Sequence, residues 1–322
     1  MIDTIADDFY RITLPMPFRL EHVHIYALIH DGKVALFDTG INTPATFSTL
    51  EESLHRIDMT LHDIDHIFIT HYHADHCGIA GGIRDISGAV IHTSEIGKQI
   101  RRYQQNEALV AQKIRSFYLA QGLAEDVVQH LLKLIRYFRT ATLPYDVDEC
   151  VRAGTTYTLG QRSFEVLPTP GHTRDHICYY FRQEGLLLAG DHVLPDITPN
   201  LSPDLLDPDF RPLSSFISTL QGLTNLPVAR VCPAHGDPFT DLKKRVDEII
   251  DHHTERKTLA LRALRHGPKT TFQVSQEIFG RDLPEFDKFL ALNETYVHLV
   301  ELLHDGLIDE ENTGKPALFH LV

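Results

Sequence analysis

The run "IFITHYHADHCG" at residues 67–78 restricts the fold of this chain more than any other feature. It begins as a β-branched, apolar segment typical of a buried strand, and it then places His71, His73, Asp75 and His76 within six positions. In an extended chain, residues two apart point to the same side. Imidazole nitrogens and carboxylate oxygens bind zinc, iron or manganese, so the run predicts a metal site in a loop at a sheet edge.

Three later strand-like segments also end in polar residues. His172 follows a Pro-Gly turn in "LPTPGHTRDH", Asp191 follows the apolar run "LLLAG", and His235 lies in "VCPAHGD". Any one of these residues alone would suit an ordinary polar loop. Together with the first run they provide five histidines and two aspartates. That number suffices for two metal sites with open positions for water.

Apolar runs and turn residues divide most of the chain into short strands with helices between them. The predicted strands are residues 9–14, 24–29, 34–38, 65–70, 89–93, 163–169, 176–181, 185–191 and 228–236. Thr43 before Pro44 is the predicted start of a helix. Two series of strands with interspersed helices predict a layered α/β protein.

Two segments interrupt this pattern with helix-forming sequence. Residues 95–147 form one segment, and the chain from about residue 241 is again mainly helical before a terminal β-ribbon closed by "NTGKP". We expect a domain at 1–250, with 95–147 as a helical insertion or cap, and a small domain at 251–322. The insertion is locally basic, and its helices either cover the site or present a solvated face.

Composition excludes several classes of protein. The chain has 322 residues, of which 43% are hydrophobic, so it can bury a sizeable core. It contains no membrane-length apolar run, and its acidic start lacks the features of a signal peptide. Four scattered cysteines suit a reducing cytoplasm, the predicted location. A net charge of -14 disfavours general nucleic-acid binding.

The series "THYHADH", "GHT", "GD" and "AHG", in this order and on these strand ends, resembles the metallo-β-lactamase-fold hydrolases over roughly residues 9–250. The resemblance implies a four-layer αβ/βα sandwich with metals at one edge. It also implies a first metal held by His71, His73 and His172, a second metal held by Asp75, His76 and His235, and Asp191 as the bridge between them. True β-lactamases of the family commonly carry a thiolate where this chain has Asp191.

The resemblance implies a dinuclear hydrolase that attacks an ester, thioester or lactone carbonyl with a metal-bridging hydroxide. The cofactors would be two divalent ions, zinc first, with iron or manganese as alternatives. Asp191 would hold the two metals and Asp75 would protonate the leaving group. The basic insertion favours a small anionic substrate such as an acyl thioester. Tyr72 and His192, beside the ligands, are candidate oxyanion donors.

Other interpretations remain open at this stage. A metal-dependent ribonuclease or phosphodiesterase of the same superfamily is the main alternative, and a mononuclear iron persulfide dioxygenase is another. The tail resembles a winged-helix domain, but its acidic character favours homodimerisation or docking over nucleic-acid binding. Five aromatic residues of the insertion either line an acyl pocket or pack between helices: Tyr103, Phe117, Tyr118, Tyr137 and Phe138.

Overall fold

The computed structural model describes residues 1–311 and 316–322, and three sheets lie within this part of the chain. The first sheet has seven strands in spatial order: β1 (Ile2–Ala6), β2 (Phe9–Pro15), β3 (His22–His30), β4 (Lys33–Phe37), β5 (Ile64–Phe68), β6 (Val90–Ser94) and β7 (Glu149–Val151). Strands β1 to β4 pair antiparallel, and β4 to β7 pair parallel. Parallel pairing brings the carboxyl ends of β4, β5 and β6 to one edge.

The second sheet contains five strands: β8 (Thr156–Leu159), β9 (Arg162–Pro168), β10 (Ile177–Phe181), β11 (Leu186–Gly190) and β12 (Arg230–Pro233). Neighbours in the chain are also neighbours in this sheet, and only β11 and β12 pair parallel. A third sheet is the hairpin of β13 (Ile308–Glu311) and β14 (Leu318–Leu321). The predicted turn "NTGKP" lies mainly outside the described residues.

Ten α-helices are assigned within the described residues: α1 (Pro44–His55), α2 (Ala74–Cys77), α3 (Ala80–Ser87), α4 (Glu95–Gln104), α5 (Glu107–Ala120), α6 (Glu125–Arg139), α7 (Pro212–Leu223), α8 (Leu242–Ala263), α9 (Thr271–Phe279) and α10 (Glu285–His304). Two single 3-10 turns lie at Leu61–Asp63 and Leu264–His266. Helix α1 begins as predicted, because the Thr43 hydroxyl accepts a hydrogen bond from the backbone N–H of Thr46 at 3.1 Å.

Aromatic side chains fill the space between the two large sheets. Phe37 of β4 lies 5.2 Å from Phe164 of β9 and 5.1 Å from Tyr179 of β10, both in edge-to-face geometry. Phe68, at the end of β5, contacts the same two rings. Each such pair adds roughly 0.5–1.5 kcal/mol to the burial of its surface. The two sheets therefore pack face to face through this aromatic layer.

Helices cover the outer face of each large sheet. On the first sheet, Leu50 and Leu54 of α1 and Ile83 of α3 join its core. On the second sheet, α7 and α8 supply the corresponding apolar side chains, among them Phe216 and Ile249. The order of layers is helix, sheet, sheet, helix. The predicted α/β class and four-layer αβ/βα sandwich are confirmed.

The two helical segments contact each other. Insertion helices α5 and α6 share a core with α10, in which Ile114 and Leu131 meet Phe289 and Leu292. The end of α8, with α9, α10 and the hairpin, encloses a separate small core. Lys269 bridges to β14, an arrangement consistent with a winged helix, which remains a prediction. The predicted boundary at residue 250 falls inside α8, so the division into two domains also stays a prediction.

Candidate metal centre

The seven candidate ligands lie where strands of both large sheets end. His71 and His73 occupy the loop after β5, and Asp75 and His76 lie in the short helix α2 that follows it. The other three follow strands of the second sheet: His172 comes after β9, Asp191 after β11 and His235 after β12. Residues more than 160 positions apart in the chain therefore meet at one edge of the sandwich.

A first cluster consists of His71, His73, His172 and Asp191, whose potential ligand atoms lie within 4.8 Å of one another. The Nδ1 atom of His73 lies 3.0 Å from Nε2 of His71 and 3.0 Å from Nε2 of His172. Three imidazole nitrogens from two loops thus converge on one point. Such convergence is the arrangement that a metal ion with nitrogen ligands requires.

A second cluster consists of Asp75, His76 and His235, again with potential ligand atoms within 4.8 Å of one another. One Asp75 oxygen, Oδ2, lies 3.3 Å from Nε2 of His235 and 3.6 Å from Nε2 of His76. This second set offers two nitrogens and one oxygen, which also suits a divalent cation.

Asp191 faces both clusters with different oxygens. Its Oδ2 lies 3.5 Å from Nε2 of His172, in the first cluster. Its Oδ1 lies 3.4 Å from Nε2 of both His76 and His235, in the second cluster. A carboxylate that presents one oxygen to each of two neighbouring ligand sets has the geometry of a bridge.

Backbone carbonyls set the tautomers of two of the candidate ligands. Nδ1 of His172 lies 2.7 Å from the carbonyl oxygen of Asn200, and Nδ1 of His235 lies 2.9 Å from that of His22. A carbonyl can only accept, so each Nδ1 must carry the proton. Nε2 is then the nitrogen of each ring that is left to bind a metal.

Asp38 orients His76, and sequence reasoning missed it. Its Oδ2 lies 2.8 Å from Nδ1 of His76 and also accepts from the Thr70 hydroxyl, while its Oδ1 accepts from the Thr70 backbone N–H. Asp38 has a left-handed φ of 64°, which aspartate tolerates better than most residues. An available signal was its position directly after β4, since parallel β4 and β5 end at the same edge.

A further buried histidine supports the centre without joining either cluster. Nε2 of His176 accepts from the backbone N–H of Asp191 at 3.2 Å, and Nδ1 lies 2.8 Å from the hydroxyl of Thr169. Gly190 has a φ of 50°, and a Cβ there would approach His176 Nε2 to 2.7 Å. The glycine of the "GD" motif therefore permits the turn that brings Asp191 to both clusters.

Burial and neighbouring charges set the protonation of the candidate ligands. Burial lowers the pKa of His71 and lowers that of His73 to about 3, so both are neutral and can bind a cation. In the second cluster, burial opposes the charged form of His235, but Asp191 and Asp75 outweigh it and raise its pKa. Burial likewise opposes ionisation of Asp75, yet His76 and His235 lower its pKa to about 2.

Two buried polar atoms without a well-aligned hydrogen bond indicate that a cation fits here. Nε2 of His76 and Oδ1 of Asp191 lie 3.4 Å apart, but neither makes a well-aligned hydrogen bond to any described residue. An unsatisfied buried polar atom costs roughly 1–3 kcal/mol, more if it is charged. Divalent ions would satisfy both atoms, and the donor set of nitrogens and oxygens is one that zinc, iron and manganese accept.

The two candidate oxyanion donors occupy different environments. His192 lies in the core, with Nε2 3.2 Å from the Thr219 hydroxyl and its ring 4.9 Å from Phe216, so it does not face substrate. Tyr72 lines a cavity beside His172. Cys77, beside His76, is buried, and burial raises its pKa to about 11, so its thiol is a packed side chain.

A cavity of about 310 Å³, termed the proximal cavity, adjoins the first cluster at His172. Insertion helices supply much of its apolar wall, through Ile100, Val110, Ile114, Phe117, Tyr118 and Ile135. Tyr103 also lines the cavity, whereas Tyr137 is largely exposed and Phe138 packs against Phe18 and Phe286. Three of the five insertion aromatics therefore line a cavity, and the other two lie elsewhere.

The cation of the proximal cavity is already paired. Nε of Arg174 lies 2.6 Å from Oδ2 of Asp204, and its Nη1 lies 2.8 Å from Oδ2 of Asp207. Two carboxylates neutralise one guanidinium, so the cavity offers no surplus positive charge to an anionic group.

Comparison with known proteins agrees with this geometry. Residues 19–235 match the family model described as the metallo-beta-lactamase superfamily. The chain belongs to this superfamily. Relatives within the superfamily include a probable metallo-hydrolase of Bacillus subtilis, YqjP, which is 29% identical over 98% of this chain and 98% of its own length. The chain is accordingly a metal-dependent hydrolase.

Other relatives extend the comparison to structure and substrate. The crystal structure of a metallo-beta-lactamase family protein from Thermus thermophilus matches with a TM-score of 0.86 and 27% identity, over 99% of this chain and 100% of that one. An atrochrysone carboxyl ACP thioesterase of Aspergillus fumigatus is 22% identical over 89% of this chain, and the match covers 59% of that protein. No helix in the described residues has both the length and the apolar character needed to cross a membrane.

Proposed function

We propose that this protein is a dinuclear metallohydrolase of acyl esters, with thioesters as the preferred class among esters, thioesters and lactones. The observation that carries the dinuclear part is the division of the Asp191 oxygens between the two clusters. Zinc is the proposed metal, with iron and manganese as alternatives that the same donor set accepts.

The seven candidate residues would have distinct roles in this reaction. The first cluster would hold one ion and the second cluster the other, with Asp191 shared between them. Divalent ions held in this way polarise a carbonyl and lower the pKa of a coordinated water. The carbonyl hydrogen bonds to His172 and His235 keep their imidazole rings oriented throughout.

Asp75 is the proposed proton carrier. Its Oδ2 faces His76 and His235, and it lies in α2, beside the point where the two clusters meet. Since His76 and His235 lower its pKa, the Asp75 carboxylate is ionised and can accept a proton from water and pass it to the departing thiol or alcohol. General acid catalysis of this kind typically raises the rate by about 10²–10⁴-fold, and we expect an effect of this size on substrates with poor leaving groups.

The proximal cavity supports an acyl substrate. Its wall is mainly apolar and begins at the candidate ligand His172, so a hydrocarbon group could lie in it while its carbonyl reaches the metals. Its volume falls near the lower end of the range for small-ligand sites, about 300–1,000 Å³. The relative named as a thioesterase adds support for thioesters over other acyl compounds.

The proximal cavity disfavours one alternative, and the second cluster disfavours the other. A phosphodiesterase or ribonuclease needs unpaired cations along its substrate path, but Arg174 is paired with two carboxylates. A mononuclear dioxygenase would leave the second cluster without a metal, although its three potential ligand atoms lie within 4.8 Å of one another.

The experiment is a substrate panel on protein loaded separately with zinc, iron and manganese. The panel contains acyl thioesters, aryl esters, lactones, a β-lactam, an aryl phosphodiester and RNA, each measured as kcat/KM. We expect thioesters to be cleaved best. Asp191→Ala should abolish turnover, whereas Asp237→Ala, a change to an exposed aspartate beyond His235, should not. Preferential cleavage of RNA or the phosphodiester would overturn the proposal.

A further inference from the structure

A second cavity of about 330 Å³, termed the distal cavity, lies between α5, the segment 203–212 and α10. Its lining is largely apolar: Leu109, Phe117, Pro203, Leu205, Pro208, Phe210, Pro212, Tyr296, Val297 and Val300, with Gln112, Lys113, Ser116 and Asp204 as polar members. None of the seven candidate ligands lines it, so the scissile bond of a substrate would not lie in this cavity.

The two cavities share one wall. Phe117, Leu205 and Phe210 line both of them, together with Pro203 and Asp204, so the two cavities are neighbours across these residues. Phe117 lies edge-on to Tyr296 of α10, with ring centroids 4.9 Å apart. A chain that fills the proximal cavity from the metals therefore ends beside the distal cavity, at the side chains that the two cavities share.

The two charged groups of the distal cavity, Lys113 and Asp204, are already engaged. Nζ of Lys113 donates to the carbonyl oxygen of Leu205 at 2.9 Å, which also fixes the shared wall. Asp204 pairs with Arg174, and its Oδ1 accepts from the backbone N–H of Leu206. A ligand in this cavity would thus meet mainly apolar surface, which favours hydrocarbon over a charged or sugar-like group.

We propose that the distal cavity is the binding site for the far end of a long, unbranched acyl chain whose carbonyl lies at the metal centre. This inference rests on the proposed acyl-hydrolase function and specifies its substrate class as long-chain acyl thioesters. The proximal cavity holds the first part of the chain and the distal cavity the remainder. Phe117 and Leu205 form the boundary between the two parts.

The first experiment measures kcat/KM over a series from acetyl to palmitoyl thioesters. Each buried methylene contributes up to about fourfold to binding, so the constant should rise from butyryl through dodecanoyl. Val300→Trp fills the distal cavity from α10 and should lower dodecanoyl cleavage by about tenfold or more, with acetyl cleavage unchanged. His304→Trp is the matched control, because it introduces the same indole side chain on α10 at an exposed position outside the cavity.

The second experiment detects the chain end without catalysis. The protein contains no tryptophan, so Leu109→Trp places one fluorophore at the rim of the distal cavity. Dodecanoate with bromine on its terminal carbon should quench this fluorescence, and unbrominated dodecanoate should compete. 4-Bromobenzoate, which is too short to reach the distal cavity and does not alkylate side chains, should not quench.

The two experiments separate failure of this inference from failure of the proposed function. Quenching without hydrolysis of any acyl substrate would support the cavity assignment and overturn the activity. Thioester hydrolysis with no dependence on Val300→Trp and no quenching would keep the activity and overturn the cavity assignment. Equal losses in Val300→Trp for acetyl and dodecanoyl substrates would also overturn it.

Discussion

Asp38→Asn should weaken metal binding at the second cluster while sparing the fold. The Thr70 backbone N–H is a fixed donor, so the amide oxygen of asparagine must face it. The amide NH₂ then replaces Oδ2 and faces Nδ1 of His76. His76 can accept that hydrogen bond only in the tautomer that carries its proton on Nε2, the nitrogen that points toward Asp191 and Asp75.

The size of the effect follows from this tautomer. To bind a cation, His76 must return its proton to Nδ1 and oppose the amide donor, at a cost of roughly 1–3 kcal/mol. Residues that hydrogen-bond to metal ligands typically contribute about 10- to 100-fold to metal affinity, which agrees with this cost. We expect a loss of metal affinity of this size at the second cluster. The first cluster should change less, because the Thr70 hydroxyl can accept from both the new amide and His71. Asparagine also tolerates the left-handed backbone at this position.

The assay is competition with a chromophoric chelator, which measures both metal dissociation constants in the wild type and the variant. Asp65→Asn is the matched control, since Asp65 also pairs with a histidine, His30 at 3.1 Å, but away from the centre. Cobalt(II) absorption provides a second readout that is independent of turnover. The reasoning is refuted if Asp38→Asn leaves both dissociation constants unchanged, raises both by the same factor, or behaves as the control does.

Four further predictions address the site and the fold. Metal analysis should find about two divalent ions per chain, since seven ligand groups exceed one tetrahedral shell; a value near one would contradict the dinuclear proposal. Asp191→Asn should lower metal retention and should lower turnover for all substrates alike. Asp75→Asn should keep the first ion and lose most activity on substrates with poor leaving groups. Equal losses for both variants, independent of the leaving group, would disprove these roles. The Asn200 side chain donates a hydrogen bond to α10 at 3.0 Å, and its backbone carbonyl is the partner of His172. Asn200→Ala removes the bond to α10, so metal affinity at the first cluster should fall by up to about tenfold in the chelator assay. No change in affinity would show that α10 does not support the site. Burial and His66 lower the pKa of His92 from 6.5 to about 4, so the unfolded state binds more protons between these two pH values and stability falls as the pH falls through that window. In His92→Gln, the free energy of unfolding in urea should depend on pH less steeply, by up to about 1.4 kcal/mol per pH unit. An unchanged slope would contradict this prediction.

The candidate ligands could be found in the sequence because they are marked locally. Each follows an apolar strand, and short runs of β-branched and aromatic residues predict such strands. The nine predicted strands are present within a few residues of their predicted limits. The strands that were missed, β1, β7 and β8, are short or lie toward sheet edges, where half-buried residues give a weak pattern.

Asp38 and Asn200 could not be identified in this way. Their importance depends on hydrogen bonds to His76 and His172, residues distant in the chain that approach only when the loops are placed by the sheets. An aspartate after a strand is common, and a backbone carbonyl leaves no trace in the amino-acid sequence. The division of the two Asp191 oxygens between the clusters is likewise a result of tertiary packing.

The sequence by itself determined the superfamily, the layered α/β fold and the chemistry of the candidate centre, because these depend on residue type and local periodicity. Only the tertiary structure decided what surrounds that centre. Phe117 of the insertion, Leu205 of a loop and Val300 of α10 meet around two adjoining cavities, although each has the pattern of an ordinary packed residue. A cavity is the space left where separate elements fail to touch, so its shape depends on the relative positions of helices that no local pattern specifies.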